Sequence, residues 1–264
     1  MENPLTRDID KLPTLKALEL INNEDQLVPL AIKKELATIE KVVEKVTERL
    51  KNGGRLFYVG TGTSGRLGVL DAAELPPTFG VDPELVQGVI AGGYQALYKA
   101  SEASEDDKES GAKDLENKQL KPTDAVIGIA ASGRTPYTIG AVEYARKLGC
   151  FTAAIVCTPN SQLEKTAELA IVALVGPEVI AGSTRMKAGT AQKIILNMIS
   201  TLCMIKLGFV KGNRMTHLRP TNSKLVDRSL RILMAETGLD FQQAKELLEK
   251  SGGSVAKALN NLKK

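Results

Sequence analysis

The residues of this sequence best suited to chemistry fall at two turns. The apolar run RLFYVG leads into Gly60-Thr61-Gly62-Thr63-Ser64-Gly65-Arg66, which formally matches the GxGxxG pattern that opens a helix beside a dinucleotide. Such a site also needs an acidic residue about twenty positions on, for a ribose hydroxyl. Glu84 stands near that offset, but it follows Pro83 in the loop-like GVDPEL and ends no second apolar strand. The run AVIGIA leads into Ala131-Ser132-Gly133-Arg134-Thr135-Pro136 and repeats the combination of strand, hydroxyls, glycine and helix start. Two such turns at the carboxyl ends of parallel strands can converge on one ligand. Hydroxyls and free helix N-terminal amides suit a compact dianion, whose charge the helix dipole favours. A phosphate monoester therefore fits better than a dinucleotide. Ser and Thr here also read as plain helix N-caps, which accounts for any one of them but less well for the pair.

Other chemistry has little material. His217 is the single histidine, and Cys150, Cys157 and Cys203 show no CxxC spacing, so a zinc site or a Ser-His-Asp triad is not expected. The reading is of an activity needing neither metal nor nicotinamide, although carboxylates alone can hold magnesium. Acid-base work must rest on carboxylates, lysine or tyrosine. An odd number of cysteines argues against a disulfide framework and fits a reducing compartment.

The elements that must position these turns are legible as a change of rhythm. Over residues 14–50 the apolar residues recur at helix-compatible steps, predicting two helices parted near Pro29 and stopped by Asn52-Gly53-Gly54. Short apolar runs then alternate with helical stretches: RLFYVG, LVQGVIAGG, DAVIGIAAS, FTAAIVCTP and LAIVALVG. Such runs suit buried strands of a parallel sheet, and each intervening stretch is long enough for a crossover. The expectation is a doubly wound α/β domain with a five-stranded parallel sheet. A last helix should start near Ser183-Thr184, end at Gly208 and be buried widely, with a second subunit as one candidate cover. Beyond a loop containing Pro220, three short helices are expected, with Asp240 and Ser254 as N-caps and Gly238 and Gly252 as stops. The domain reading is an N-terminal helical segment at 1–45, a phosphate-binding α/β domain at 46–209 and a C-terminal three-helix module at 220–264 that resembles a ubiquitin-associated fold.

Three long segments carry a family likeness: FYVGTGTSGRLGVLDAAELPPTFGVDPELVQGVIAGG, IGIAASGRTPY and VGPEVIAGSTRMKAGTAQKIILNMIST. They resemble the signature segments of N-acetylmuramic acid 6-phosphate etherases, bacterial enzymes with a sugar isomerase (SIS) domain that act as homodimers in cell-wall sugar recycling. The resemblance covers nearly the whole chain. It implies cleavage of the D-lactyl ether of N-acetylmuramic acid 6-phosphate to N-acetylglucosamine 6-phosphate and D-lactate. It further implies that Glu74, in Asp71-Ala72-Ala73-Glu74-Leu75-Pro76-Pro77, is the proton donor and that Glu105, in Glu102-Ala103-Ser104-Glu105-Asp106-Asp107, is the second active-site carboxylate. The chain departs from the usual pattern at Ala73 and Leu75, where serine and cysteine are common, and at Ser104, where glycine is common. Both carboxylates remain.

Chemically the pair suits the task. An ether β to a latent aldehyde can leave after proton removal from the carbon between them, if a base takes that proton and an acid meets the departing oxygen. Without the resemblance, Glu105 reads as part of a solvated acidic run. Thr61, Thr63, Ser64, Gly65, Ser132, Gly133, Arg134 and Thr135 are the expected phosphate and sugar contacts. Glu178, Ser183, Arg185 and Lys187, at a third transition from strand to helix, are expected to line the pocket. Arg185 and Lys187 fit oxyanion contacts and surface cations equally. Tyr94, Tyr98 and Tyr137 read as packing residues, Met186, Met198 and Met204 as core fillers, and His217 as a structural loop residue.

Composition bounds the rest. With 43% hydrophobic and 25% charged residues the chain can bury a substantial core. Its first residues lack the apolar core of a secretory signal, and Ile194 to Leu207 is too interrupted to span a bilayer, so a cytoplasmic protein without a membrane partner is expected. The net charge of +4 arises from residues 211–264, with 11 Lys and Arg against 5 Asp and Glu. That excess reads as a solvated face, and with no helix-turn-helix signature no nucleic-acid partner is expected. The rival is a non-catalytic SIS protein that senses sugar phosphates, as in the glucokinase regulatory protein family.

Overall fold

A computed structural model describes residues 2–99, 102–215 and 223–261. Five parallel strands form the central sheet in the order β2-β1-β3-β4-β5: β1 (Leu56–Gly60), β2 (Val86–Ile90), β3 (Ala125–Ile129), β4 (Phe151–Val156) and β5 (Leu169–Val172). These are the five apolar runs of the sequence. Successive side chains of a strand point to opposite faces. Leu56 and Tyr58 accordingly join the core formed with α2 (Leu27–Lys33), α3 (Leu36–Lys51), α4 (Gly62–Phe79) and α8 (Lys187–Lys206). Phe57 and Val59 join the opposite core, with α5 (Lys108–Asn117), α6 (Pro136–Leu148) and α7 (Gln162–Thr166). Strands buried on both faces need no polar alternation, which is why they read as continuous apolar runs.

The expected pair of N-terminal helices is three: α1 (Thr14–Asp25), α2 and α3. Pro29 does not part them. It sits in the first turn of α2, where its missing N–H has no intrahelical acceptor to lose. The breaks fall at Gln26 and at Lys34 and Glu35. The helix α8 starts at Lys187, three to four residues later than expected, because the carboxylate of Glu178 caps it from the preceding loop. By length and composition α8 would suffice to cross a membrane, but it lies against α2, α3 and α4. Ile195, Leu196, Ile199 and Met204 are fully buried, each contributing about 1.5–3 kcal/mol relative to exposure.

After α8 comes a hairpin, β6 (Val210–Lys211) and β7 (Arg214–Met215), turning at Gly212-Asn213, which the sequence reading missed. Then follow α9 (Ser223–Thr237), α10 (Phe241–Lys250) and α11 (Val255–Asn261), sharing a small core of Leu230, Leu233, Ala244, Leu248, Val255 and Ala258. Asp240 caps α10 through a reciprocal bond with Gln243, and Ser254 accepts from Lys257 N. His217 and Pro220 lie outside the described residues. Tyr137 is buried, with its hydroxyl donating to Asp114 at 2.5 Å, but Tyr94 and Tyr98 are 87% and 80% exposed and do not pack.

Candidate active site

The strand order reverses between β1 and β3. From β1 the chain winds through α4 to β2 on one side, and from β3 through α6 to β4 on the other. In such sheets the crevice outside the carboxyl ends of the two diverging strands is the natural ligand site. Gly60 and Ile129, the last residues of β1 and β3, are register partners, so both hydroxyl-rich turns flank that crevice.

Neither turn uses its hydroxyl as a helix cap. Thr61 stands at the N-cap position of α4 and Thr135 at that of α6, and neither side chain makes a capping bond. The first-turn amides of both helices therefore have no side-chain acceptor at their caps, and helix termini of this kind suit an anion. The reading of these residues as simple caps does not describe the structure. Ser132 and Arg134 are exposed, and Thr63 and Thr135 partly so. Ser64 is nearly buried and donates to Gln192 Oε1 of α8 at 2.9 Å.

Two glycines are required by geometry. Gly133 has φ +62°, and a Cβ there would stand 2.2 Å from Ser161 Oγ. Gly62 has φ +48°, and a Cβ would stand 3.2 Å from Glu105 Oε1. The second relation places the Glu105 carboxylate over the first turn of α4, beside the crevice. Arg66 Nε donates to Leu97 O at 2.9 Å, tying to α4 the connection that carries Glu105. Downstream, α5 and α6 approach so closely that a Cβ at Gly111 would meet Tyr137 O and one at Gly140 would meet Lys108 O. Asp107 follows Glu105 by two residues. Its carboxylate caps α5, accepting from Glu109 N and Ser110 N at 3.0 Å, and the Ser110 hydroxyl bond first of all holds its pKa below the usual range.

Glu74 is elsewhere. It lies twelve residues after Gly62 on the same helix, and at 1.5 Å per residue the two Cα atoms are about 18 Å apart. Its side chain is exposed in a groove between α4 and α8 with Leu67, Leu70, Asp71, Lys193, Leu196 and Asn197. Below it Asp71 Oδ1 accepts from Asn197 Nδ2 at 2.7 Å and Ser200 Oγ at 3.2 Å, locking α4 to α8. Burial raises the Asp71 pKa against the lowering effect of those bonds, and raises that of Tyr58 beside it.

Glu178 and Lys187, expected to line the pocket, have internal partners. Glu178 accepts from Lys187 N and Ala188 N, both at 2.9 Å. Lys187 is 1% exposed, and its Nζ meets Glu24 Oε2 at 2.5 Å; Asn3 Nδ2 donates to the same oxygen at 2.8 Å. A buried ammonium needs such a partner, so its charge is not available to a ligand. Ser183 is half-buried and Arg185 exposed, in the loop before α8. A Cβ on Gly189 would lie 3.3 Å from Thr63 Cγ2, so the first turns of α8 and α4 touch. Gln192 is the site neighbour that the sequence reading missed. Its signal was a polar side chain in the most apolar helix of the chain.

Comparison with known proteins agrees with this fold. The SIS domain family matches residues 103–202, and the family described as glucokinase regulatory protein N-terminal SIS domain matches residues 38–146. The solved phosphoheptose isomerase of Neisseria gonorrhoeae superposes with TM-score 0.54 at 16% identity, covering 72% of this chain and 98% of that one. The phosphoheptose isomerase of Francisella tularensis gives TM-score 0.52 at 15% identity, over 74% of this chain and 98% of that one. These likenesses are of fold. A relative from Symbiobacterium thermophilum named N-acetylmuramic acid 6-phosphate etherase is 53% identical over 252 residues, 96% of this chain and 84% of the relative. One of the same name from Clostridioides difficile is 51% identical over 261 residues, 99% of this chain and 86% of the relative. Sharing half its residues with these relatives over nearly its whole length, the chain belongs to the N-acetylmuramic acid 6-phosphate etherase family.

Proposed function

We propose that this chain cleaves the D-lactyl ether of N-acetylmuramic acid 6-phosphate, releasing D-lactate and N-acetylglucosamine 6-phosphate in amino sugar recycling. The observation that carries the reading is the pair of uncapped helix N-termini at the strand-order reversal, with Glu105 beside them. The 6-phosphate takes the amides of α4 and α6 and the hydroxyls of Thr63, Ser64, Ser132 and Thr135. Thr61, Gly65 and Gly133 shape the two turns. Arg134, Ser183 and Arg185 stand at the rim.

The chemistry is elimination followed by hydration. With the sugar open at C1, a base removes the C2 proton, the C3–O bond breaks, and an acid protonates the departing lactate oxygen. Water then adds at C3 and a proton returns to C2. Glu105 and Glu74 divide these roles, with Glu74 protonating the leaving oxygen. Since about 18 Å of helix separates Glu74 from the turn beneath Glu105, both reach one sugar only if Glu74 comes from a second copy. The working unit is therefore a homodimer in which the α4–α8 groove of one chain closes the crevice of the other. Exposed Leu70, Leu202 and Ile205 on those helices support this. The same reading places the enzyme in the cytoplasm and needs no metal, and full, metal-reversible loss of activity in a chelator would overturn the latter.

The match to the glucokinase regulatory protein domain favours a second reading, a sensor that binds sugar phosphate without turnover. Incubation with N-acetylmuramic acid 6-phosphate separates the two. The enzyme releases lactate and, in heavy water, leaves deuterium at C2 of the product. Binding without lactate supports the sensor, and product that retains its original C2 hydrogen overturns the elimination.

A further inference from the structure

Gln192 is 1% exposed on α8 and has one hydrogen-bond partner, Ser64, through Oε1. Its Nε2 is buried without a partner. A buried N–H left unpaired is the costlier kind of orphan, and carbonyl oxygens tolerate it better. The two ends of the amide have the same shape, and of the two orientations the one with Oε1 on Ser64 is the wrong one for anion binding. A serine hydroxyl has one proton, and while Ser64 donates it to Gln192 it has only lone pairs to show a phosphate oxygen.

Turning the amide by half a rotation reverses both defects. Nε2 then donates to Ser64 Oγ, the orphaned group becomes the carbonyl oxygen, and the Ser64 proton is free to point into the crevice. An amide carries a donor and an acceptor of the same shape on one carbon and can present the donor to Ser64; a carboxylate or a hydrocarbon cannot. We propose that Gln192 is a positioning residue of the phosphate site: across the contact of α8 with α4 its amide presents Nε2 to Ser64 Oγ, so that the Ser64 hydroxyl is a donor to the bound anion. The proposal rests on the reading of the crevice as a phosphate site. It adds a residue from a different helix, one that never touches the ligand.

The test uses the full-length protein and inorganic phosphate as the probe, measured as a competitive inhibitor of lactate release and directly by calorimetry. Gln192→Glu replaces the amide by a group that, when ionised, only accepts. It should fix the Ser64 proton inward and weaken phosphate binding by about tenfold or more at pH 8, with the loss shrinking toward pH 5.5 as the carboxyl gains a proton and can donate. Gln192→Met keeps the volume and removes both functions. It should weaken phosphate binding several-fold without that pH dependence and raise KM more than it lowers kcat. In a Ser64→Ala background Gln192→Met should cost no further phosphate affinity, a coupling that a merely structural glutamine would not produce. Unchanged phosphate binding in a folded Gln192→Met, or equal losses with and without Ser64, would overturn the proposal. If wild type itself is indifferent to phosphate, the crevice reading fails first. If wild type binds phosphate, Ser64→Ala weakens it and the Gln192 variants do not, only this inference fails.

Discussion

The proposed division of one active site between two chains makes a prediction that chain mixing can decide. Glu105 lies over Gly62, and Glu74 is twelve residues further along the same rigid helix, about 18 Å by helical rise. Each glutamate side chain reaches only a few ångströms, and an acid and a base acting on neighbouring carbons of one sugar must both touch it. Glu74→Gln and Glu105→Gln should each lose about 10²–10⁴ in kcat as homodimers, with lesser effects on sugar binding. Equal amounts of the two variants, allowed to exchange subunits, give half heterodimers. In a two-fold dimer each heterodimer has one site with both carboxylates and one with neither, so lactate release should recover to about a quarter of wild type. Native mass spectrometry verifies that heterodimers formed. If they form and activity stays at the level of the separate variants, both glutamates serve from the same chain and the composite site is refuted.

Three further outcomes test the geometry around the site. Lys187→Met should leave KM nearly unchanged but, by stranding the buried Glu24 carboxylate, cost about 3–5 kcal/mol and lower Tm by roughly 6–20 °C, with Glu24→Gln added to it restoring part of the loss; a large rise in KM with normal melting would return Lys187 to the ligand. Gly133→Ala should lose about 1–2 kcal/mol from its left-handed backbone and more from the Ser161 contact, and Ser161→Gly should relieve only the second part, as thermal melts of the single and double variants can show. Asp71, whose folded pKa is raised by burial, holds more protons folded than unfolded, so its contribution to stability falls as pH rises from the unfolded value of about 3.9 through the folded one. Asp71→Asn should therefore gain on wild type across that window in denaturant titrations, and a difference independent of pH would contradict the assignment.

The five strands were legible because a sheet covered on both faces leaves only apolar runs, and the crevice because hydroxyls and glycines punctuate two of them. What stayed hidden was partnership across the chain. Glu178 and Lys187 have the look of a ligand pair at a helix start, but spacing cannot show that Glu24, near the other end of the sequence, takes the ammonium and that Asn3 donates to the same carboxylate. Pro29 looked like a breaker because proline ends helices, yet it also begins them, and only the break at Gln26 shows which applies. Tyr94 and Tyr98 looked like core residues by type, but they lie on the connection that leads to Glu105 and face solvent.

The helix α8 shows why composition alone misleads and where it still informs. Its apolarity matches that of a membrane span, and the reason is that it packs against α2, α3 and α4, with just over half of it buried. A polar residue in such a helix must find a partner or carry an unpaired group. Asn197 and Ser200 find Asp71, Gln192 finds Ser64, and all three bonds go to α4, the helix whose first turn floors the crevice and whose later turns present Glu74. A wholly apolar α8 would pack against α4 at many rotations with similar burial. Three directional bonds to two α4 side chains select one, and with it the placing of Ser64 relative to the crevice and of Glu74 relative to the groove. The polar exceptions in the most apolar helix are thus the residues through which the core sets the geometry of the site.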